Sequence, residues 1–325
     1  ALGVITGFAA RLRGARRVNW LQDLFPEVAL ALGFGQRTIA GAMFGATKWL
    51  RDRSLRTADI NIVLGARMKD RITKIVGSQS STVEIPNWAD GDVLKPTPHE
   101  ENALRRAWSL TDAFVVSYSG NLGRAHDIST FVEAMVELQR GSDDATGPRV
   151  QWLFIGGGQQ FEKLKTEVID RDITNVLFQP YQPRERLAES LSAGDVHLIS
   201  LRPELEGCIV PSKYYGVAAV GRPAIFVGSA DGEIAHMLAQ TGAGLTVEQG
   251  QGRALAAAIL TLAHNPERAE QAGRAARAAF VHDYAFEHAL EKWDAVLSGG
   301  VVPSMFSLDP SSATLDEAPR VEACE

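Results

Sequence analysis

The stretch IVPSKYYG places Lys213 directly after Pro-Ser, where a strand-like run gives way to a helical pattern. The first N–H groups of a helix bind phosphate oxygens, and an ammonium group beside them adds the opposite charge. Ser212 and Lys213 therefore indicate a site for a phosphate. The alternative at this position is a solvated lysine in an ordinary helix.

Three more loops that carry glycine or charged residues also follow directly after a strand-like run. Gly120, Gly156 and Gly157 let backbone amides approach a ligand, and Arg124 adds a second cation. A run of three glycines after a strand also fits a plain tight turn. Because the carboxyl ends of parallel strands meet at one edge of a sheet, the four loops together predict a diphosphate site. The loops are SYSGNLGRAHD (117–127), IGGGQQ (155–160), LRPELEGCIVPSK (201–213) and GSADGE (228–233).

The apolar pattern of residues 112–298 predicts the elements that position these loops. Continuous apolar runs alternate with helical patterns, which is typical of a parallel sheet covered on both faces. The pattern therefore predicts one complete doubly wound domain, closed by two or three alanine-rich helices over residues 253–298. The predicted strands are 113–117, 150–155, 175–179, 196–200, 224–227 and 244–247.

The first hundred residues predict part of a second domain of the same kind. Strands at 17–21, 60–64 and 83–86 alternate with helices at 36–56 and 66–76. The predicted fold is α/β with two doubly wound Rossmann-like domains, of which the N-terminal one is incomplete. Because the chain begins inside a helical pattern at 4–13 without a cap, we expect that a portion of this domain precedes it. The predicted division is 1–98 with a proline-flanked linker, 99–299, and a disordered Pro/Ser/acidic tail at 300–325.

The composition indicates a globular protein without a disulfide framework or a membrane span. The chain has 325 residues, 45% hydrophobic and 22% charged, which is enough for two globular domains. Its two cysteines exclude a disulfide framework, and no apolar run reaches the ~18 residues that a membrane span needs. Residues 1–100 hold 14 basic and 9 acidic residues, a net of +5, whereas the rest hold 19 and 30, a net of −11. Such asymmetry indicates an anionic surface near the first part, or a chance excess of solvated arginines.

The succession of motifs resembles the C-terminal half of GT-B glycosyltransferases. It runs YSGNLGRAHD, FIGGG, NVLFQPYQP, LSAGDVHLISL, EGCIVPSKYYGVAAVGRPAIFV, GEIA and TGAGLTV, and VNWLQDLFPEVALALG and IPNWAD extend it toward the N-terminus. More narrowly, the chain is similar to the bacterial retaining enzymes that build exopolysaccharide, O-antigen or capsule repeats, the colanic-acid-type group. The resemblance covers roughly residues 17–297.

The resemblance implies a cytoplasmic, metal-independent enzyme that needs no cofactor and does not bind nucleic acid. Its donor would be a nucleotide-diphospho-sugar, UDP-linked by the same expectation, and its acceptor a saccharide or a lipid-linked saccharide, held by the N-terminal domain. Peripheral contact with the inner face of the plasma membrane, through the basic first part, is a further expectation. The residues that the resemblance implies for donor binding are Gly120, Asn121, Arg124, Gly156, Gly157, Tyr181, Ile209, Val210, Ser212 and Lys213.

The chain departs from the pattern of this family at several positions. Many relatives carry two glutamates separated by seven residues; Glu206 matches the first, but Tyr214 stands at the second, so the ribose contact differs. Asn121 stands where an arginine is common, and His126 stands near a usual lysine. The glycine loop that meets the donor phosphates from the N-terminal domain has no counterpart here.

Asp23 and Glu206 are the candidate catalytic residues, with Glu27 as a weaker alternative to Asp23. Relatives often place a histidine or aspartate after a strand in the region of Asp23, and the family mechanism lets the donor phosphate help to deprotonate the acceptor. Electrostatic stabilisation of the leaving diphosphate is then the main task of the protein. A competing interpretation makes Asp23 the N-cap of a helix that begins near Leu24.

Other interpretations remain open from the sequence. Asp90-Gly91-Asp92 resembles a metal-binding Asp-x-Asp motif, but it lies in the predicted linker. The basic helix 37–56 fits either a membrane surface or packing against the sheet. A sugar-nucleotide epimerase of the same shape and a noncatalytic nucleotide-binding module are the alternatives to a transferase.

Overall fold

The computed structural model describes residues 2–34, 38–77, 80–141 and 147–302. The predicted tail therefore lies outside the described residues from position 303 onward. Within the described part, every strand predicted from the sequence is present; three of them match the predicted bounds, and the ends of the others differ from the prediction by at most four residues.

The N-terminal unit is a three-stranded parallel sheet in the order β1-β2-β3, with Asn61 of the middle strand between Asn19 and Thr82. Met68, Ile72 and Val76 lie on one face of the helix that follows the middle strand, and all three are buried. Its elements are α1 (Leu2–Arg13), β1 (Val18–Trp20), α2 (Glu27–Ala31), α3 (Thr38–Arg56), β2 (Ile60–Val63), α4 (Ala66–Val76) and β3 (Ser81–Glu84).

The C-terminal unit is a six-stranded parallel sheet in the order β6-β5-β4-β7-β8-β9. This strand order is that of a complete doubly wound domain, as predicted. Its elements are α5 (Ala103–Ala107), β4 (Phe114–Asn121), α6 (Ser129–Gly141), β5 (Val150–Gly157), α7 (Gln159–Asp170), β6 (Val176–Gln179), α8 (Leu187–Ser192), β7 (Val196–Ser200), α9 (Lys213–Ala219), β8 (Ala224–Val227), α10 (Glu233–Thr241), β9 (Gly244–Val247), α11 (Gly252–Ala263), α12 (Pro266–Ala279) and α13 (Phe286–Ser298).

Both faces of the larger sheet are buried, which explains its unbroken apolar strands. Leu198 and Ile225 pack into the cluster formed with α6, α7 and α11, whereas Ile199 and Phe226 pack into the cluster formed with α9, α10 and α12. Every residue of β7 is buried. Neighbouring positions of one strand thus serve opposite faces, and the helices on both sides fix where the strands end.

The chain reverses its winding direction between β4 and β7. Only two residue pairs join these strands, Val116 to Val196 and Ser117 to His197, whereas eight pairs join β4 to β5. Loops leave the two central strands toward opposite faces at such a point, and a crevice opens at their carboxyl ends. The predicted diphosphate loops lie at this edge.

The last helix returns to the N-terminal unit. Val296 of α13 is buried together with Ile62 and Ile85, and the Arg16 guanidinium donates to the carbonyl of Val296 over 3.0 Å. The two segments that connect the units are hydrogen-bonded to each other, because the N–H of Ala89 donates to Tyr284 and the N–H of Phe286 donates to Ala89. The units are therefore joined at two chain crossings that lie side by side.

The interpretation of Asp23 as a helix N-cap is wrong. Helix α2 begins at Glu27, with Pro26 at the cap position and no side-chain cap hydrogen bond. The side chain of Asp23 is exposed three residues before that cap. The residues between them form turns, so the polar residue that looked like a cap stands too early to reach the first helical N–H groups.

Candidate functional site

Two glycine loops meet at the carboxyl ends of β4 and β5. Gly156 has a φ of +133°, and a Cβ built there would lie 2.3 Å from the carbonyl oxygen of Gly120. Gly158 has a φ of +122°, and a Cβ there would lie 2.4 Å from Oδ1 of Asn121. The N–H of Leu122 also donates to the carbonyl of Gly157 over 2.7 Å. Only glycine fits these two positions, so the floor of the crevice is bare backbone.

Tyr181 covers part of this floor. A Cβ on Gly156 would lie 3.2 Å from one ring carbon of Tyr181, and a Cβ on Gly157 would lie 3.4 Å from another. The tyrosine is 59% exposed, so one side of its ring rests on the glycines while the rest faces solvent. Such an exposed ring beside open backbone can stack on a planar or sugar group.

Lys213 reaches the same floor from the first turn of α9. Its Nζ donates to the hydroxyl of Tyr118 and lies 3.7 Å from the centre of that ring. The Tyr118 hydroxyl in turn donates to the carbonyl of Asn121 over 2.9 Å. A Cβ on Gly120 would lie 3.9 Å from Cε of Lys213, which places the lysine against the glycine loop.

The ammonium group of Lys213 has no carboxylate partner among the described residues. Burial lowers its pKa to about 7, because the charged form loses water and gains no opposite charge. A partly buried cation without an anion is an arrangement that an anionic ligand would complete.

His126, which the sequence places near a usual lysine of the family, is held beside Lys213. Its Nδ1 donates to the carbonyl of Ser200 over 2.6 Å, which ties the loop after β4 to the end of β7. Burial, and then the charge of Lys213, lower the pKa of His126 to about 3. The imidazole is therefore neutral near pH 7 and adds no positive charge.

Arg124 points to a different part of the crevice than Lys213 does. Its Nε donates to Oε1 of Gln159 at the start of α7, and its guanidinium lies 5.3 Å from the ring centre of Phe34. Phe34 belongs to the N-terminal unit, so Arg124 stands where the two units face each other. The structure brings Lys213 to the glycine loops directly and Arg124 only to their outer edge.

Glu206 lies across the crevice in the loop before α9. Its Oε2 accepts the backbone N–H of Glu233 over 3.3 Å, while its Oε1 is buried without a hydrogen-bond partner among the described residues. The pKa of Glu206 is raised to about 7, mainly by burial and then by the nearby carboxylates of Glu233 and Asp231, while the backbone N–H of Glu233 and the charge of Arg67 oppose the rise. The free oxygen is thus a strong acceptor that lacks a donor.

Three other predicted donor-binding residues follow Glu206 in the chain. Ser212 is exposed and occupies the cap position of α9, although its hydroxyl makes no cap hydrogen bond. Val210 is 5% exposed, and Ile209 is partly buried against the same apolar clusters. Only the backbone of these last two residues can therefore contribute polar groups. Tyr214, at the position of the second family glutamate, is fully buried and its ring packs against Tyr284, so it faces away from the crevice.

Asp23 lies next to the loop that carries Glu206, as the N–H of Leu24 donates to the carbonyl of Cys208 over 2.8 Å. Surrounding protein atoms partly desolvate the exposed carboxyl and raise its pKa. Glu27 instead forms a bidentate ion pair with Arg51, at 2.6 and 2.9 Å, so both of its carboxylate oxygens are engaged in a structural contact. Asp23 is therefore the better acid or base of the two.

The part of the chain that the structure describes contains no group of three or more His, Cys, Asp or Glu side chains placed to hold a metal ion. Asp90 of the linker motif accepts the N–H groups of Asp92 and Val93, at 3.0 and 3.1 Å. These bonds are those of a turn made by an aspartate side chain.

Two sizeable cavities lie at the opposite edge of the larger sheet. One, of about 710 Å³, is lined by residues such as Arg149, Asn175 and Arg253; the other, of about 630 Å³, is lined by residues such as Asp195 and Arg222. They lie near the amino ends of the strands. We assign the candidate site to the carboxyl edge from its chemistry, because Lys213 and the glycine loops meet there.

The family model described as "Glycosyl transferases group 1" matches residues 100–279. The chain is 27% identical over 282 residues to the putative colanic acid biosynthesis glycosyl transferase WcaI of Escherichia coli (strain K12), with 82% of this chain and 65% of the relative covered. It is 25% identical over 236 residues to the probable glycosyltransferase WbjE of Pseudomonas aeruginosa, with 72% and 57% covered. The chain thus spans less than two thirds of the length of these curated relatives.

The solved structure of Alr3699/HepE from Anabaena, in complex with UDP and glucose, superimposes with a TM-score of 0.70 at 17% identity. The match covers 91% of this chain and 75% of HepE. At this identity the similarity concerns the fold alone. It confirms the predicted fold class, α/β with two Rossmann-like parts arranged as in GT-B proteins.

Proposed function

Because the chain belongs to the group 1 glycosyl transferases, we propose that it moves a sugar from a nucleotide-diphospho-sugar to a saccharide or lipid-linked acceptor. The observation that carries the proposal is Lys213, a partly buried cation without a carboxylate partner, set against the glycine floor at the switch point. WcaI is named for colanic acid biosynthesis, which supports a role in bacterial surface polysaccharide synthesis.

We propose a UDP-linked donor, since the HepE structure of the same fold holds UDP and glucose. The diphosphate would lie over Gly120, Gly156 and Gly157, with Lys213 on one side and Ser212 and Arg124 nearby. Tyr181 is placed to stack on the base or on the sugar. Ile209 and Val210 would contribute backbone groups only, because their side chains point into the core.

The proposed chemistry is a retaining transfer on one face of the donor sugar. The bond from the anomeric carbon to the diphosphate oxygen breaks, the bond to the acceptor oxygen forms, and the acceptor proton passes to the leaving diphosphate. Lys213 stabilises the negative charge that develops on this group. The free oxygen of Glu206 accepts a hydrogen bond from a hydroxyl of the donor sugar, and Asp23 orients the acceptor.

We also propose that the chain divides as the sequence predicts: acceptor side at 1–98, donor side at 99–299 and a tail at 300–325. The separate sheets support the first boundary. Helix α13 belongs to the donor side by sequence but packs on the N-terminal sheet. Nucleotide sugars are made in the cytoplasm, so we place the reaction there, at the inner face of the membrane.

The test is to incubate the protein with UDP-sugars and a lipid extract of bacterial membranes, and to follow labelled sugar in the lipid fraction. We expect incorporation that depends on Lys213, since Lys213→Ala removes the main phosphate contact. Isomerisation of the UDP-sugar without any acceptor would instead identify an epimerase. Nucleotide binding without either reaction would identify a binding module.

A chelator arm of the same experiment tests the absence of a metal cofactor. We expect UDP binding and transfer to continue in excess EDTA, because Lys213 and backbone groups, rather than a cation, would neutralise the diphosphate. Loss of binding in EDTA, restored by magnesium or manganese, would contradict this and return Asp90 and Asp92 to consideration.

The affinity for UDP is expected to fall as the pH rises above 7. Lys213 has a pKa of about 7 in the free protein, so it is increasingly neutral at higher pH. A bound diphosphate raises this pKa, and binding then takes up a proton, which lowers the affinity by up to about tenfold per pH unit. Calorimetry between pH 7 and 9 in buffers of different ionisation enthalpy measures both effects. In Lys213→Ala the slope should vanish; an equal slope in that variant would exclude Lys213 as its source.

No helix among the described residues is long and apolar enough to cross a bilayer. We propose instead a surface contact through α1, whose Ile5, Phe8 and Leu12 are 68%, 69% and 70% exposed along one face. Arg11 and Arg53 line a groove beside this face. Exposed apolar side chains flanked by arginines fit an anionic lipid surface.

The membrane contact predicts co-sedimentation with vesicles containing phosphatidylglycerol and weaker binding to pure phosphatidylcholine. Phe8→Ser should lower the vesicle affinity by about tenfold, since burial of one phenylalanine side chain contributes roughly 1.5–3 kcal/mol. Ile169→Ser, at a residue 73% exposed on α7 of the other unit, is the matched control. Equal binding by Phe8→Ser and the unmodified chain would contradict the contact.

A further inference from the structure

Helix α4 has no cap of its own. Its cap residue is Gly65, which carries no side chain, so the first N–H groups of the helix lack the usual local acceptor. A carboxylate from the other unit takes this place: Oε2 of Glu233 accepts the N–H of Arg67 over 3.0 Å. A Cβ on Gly65 would lie 2.4 Å from the carboxyl carbon of Glu233, so any larger residue there would displace the carboxylate.

The same glutamate supports Glu206. The backbone N–H of Glu233, at the start of α10, donates to Oε2 of Glu206 over 3.3 Å. A Cβ on Gly232 would lie 2.4 Å from Oε1 of Glu206, so the carboxyl group rests against bare backbone. Glu233 therefore contacts the candidate catalytic carboxylate with its backbone and the N-terminal unit with its side chain.

We propose that Glu233 is a positioning residue that fixes Glu206 relative to the acceptor-side unit, an inference that rests on the proposed function. Helix α4 starts directly after β2, the central strand of the N-terminal sheet, and its first turn faces the loop that carries Glu206. A Cβ on Gly207 of that loop would lie 3.0 Å from the carbonyl of Arg67. The cap thus holds the two halves of the crevice in register.

The arrangement keeps charges close together that would otherwise separate. Asp231, which forms an ion pair with Arg67 at 3.3 Å, and Glu84, at the end of β3, add two more carboxylates at this place; burial, then the charge of Glu233, raise the pKa of Glu84. Lys69, Lys292 and Arg67 face the cluster from α4 and α13 and offset part of the repulsion. The N-terminus of a helix favours a negative charge, so the contact of the Glu233 carboxylate with the first turn of α4 offsets part of this repulsion.

Amide hydrogen exchange tests the cap without any need for transfer activity. In Glu233→Ala, peptides covering the first turn of α4 should exchange about fivefold faster, the factor expected when a helix loses its N-cap acceptor. Glu233→Gln keeps an amide oxygen for the N–H of Arg67 and should restore slow exchange. Glu267→Ala, which removes an exposed acidic residue from the first turn of α12, is the matched control and should leave α4 unchanged.

Kinetics test the positioning. Glu233→Ala should lower kcat by about ten- to a hundredfold through misplacement of Glu206, while the KM for the donor stays within about twofold because the glycine loops and Lys213 are untouched. Glu233→Gln removes a negative charge beside Glu206, so the acid limb of its pH–rate profile should move to lower pH.

The outcomes separate the two proposals. Unchanged exchange of α4 in Glu233→Ala would overturn the cap, and a raised KM with unchanged kcat would overturn the positioning. If the unmodified chain transfers no sugar, the proposed function fails; an effect of Glu233→Ala on α4 exchange would then still establish the cap. If Glu233→Ala does not fold, Glu233→Gln decides through its pH–rate profile, and an unmoved acid limb would overturn the positioning.

Discussion

Replacing Lys213 by alanine should weaken UDP binding by at least tenfold and up to about a hundredfold. The ammonium group would lose a charge-assisted contact with the diphosphate, which contributes roughly 1.5–3 kcal/mol. Isothermal titration calorimetry at pH 7 measures the change. Lys95→Ala, at an exposed linker lysine, is the matched control and should bind as the unmodified chain does.

Arg124→Ala should also weaken the binding, but less than Lys213→Ala does. Its guanidinium is exposed and engaged with Gln159 and Phe34, so solvent screens its charge. Unchanged affinity in both variants would show that the diphosphate binds elsewhere. We therefore expect the loss of UDP affinity to be larger in Lys213→Ala than in Arg124→Ala, because Lys213 lies against the glycine loops and Arg124 lies at their outer edge.

Lys213→Met separates a role in binding from a role in folding. Burial without a carboxylate partner disfavours the charged lysine in the folded state, so an apolar side chain of similar length should raise the free energy of unfolding. The gain should be largest below pH 7 and should fade as the pH approaches the ordinary lysine pKa of 10.5. A variant that is more stable yet binds UDP poorly would identify a ligand-binding lysine, whereas loss of stability would identify a structural one.

Glu206→Gln should lower kcat by about a hundred- to a thousandfold, the range found when one electrostatic contact to a transition state is removed. Positive charge develops on the donor sugar as the diphosphate leaves, and an ionised carboxylate near the sugar stabilises that charge. UDP affinity should remain within about twofold, since the proposed contact of Glu206 is with the sugar and not with the diphosphate. Glu204→Gln, at an exposed residue two positions earlier, is the matched control.

The pH–rate profile adds a second test of Glu206. Its pKa is about 7, so the rate should rise with pH through that value as the carboxyl ionises. The limb should disappear in Glu206→Gln, because the amide does not titrate. A profile that keeps the limb in this variant would assign it to another group, and Asp23 would be the first candidate.

Strands, their order along the chain and the glycine loops could be predicted from the sequence because each leaves a local signal. Unbroken apolar runs identified the parallel strands, and glycines directly after them identified Gly120, Gly156 and Gly157. Lys213 was found in the same way, from its place at the start of a helical pattern. These features depend on a few neighbouring residues, and their structural placement follows the prediction.

The partners of these residues could not be predicted, because they depend on contacts between distant parts of the chain. Tyr118 receives Lys213 from 95 positions away, and Glu233 reaches Arg67 over 166 positions. The N-cap assigned to Asp23 failed for a related reason, since polar residues before a turn resemble a cap until the start of the helix is known.

The paired crossings at Ala89 and Ala285 constrain how the crevice can open. Two polypeptide segments that run side by side and share hydrogen bonds would have to bend together if the two units moved apart. A single connecting strand would let the two halves twist about its length, whereas this pair favours a swing about one axis. The two units would therefore approach each other along the same path each time the crevice closed. Each closure would return the carboxylate of Glu233 to the first turn of α4.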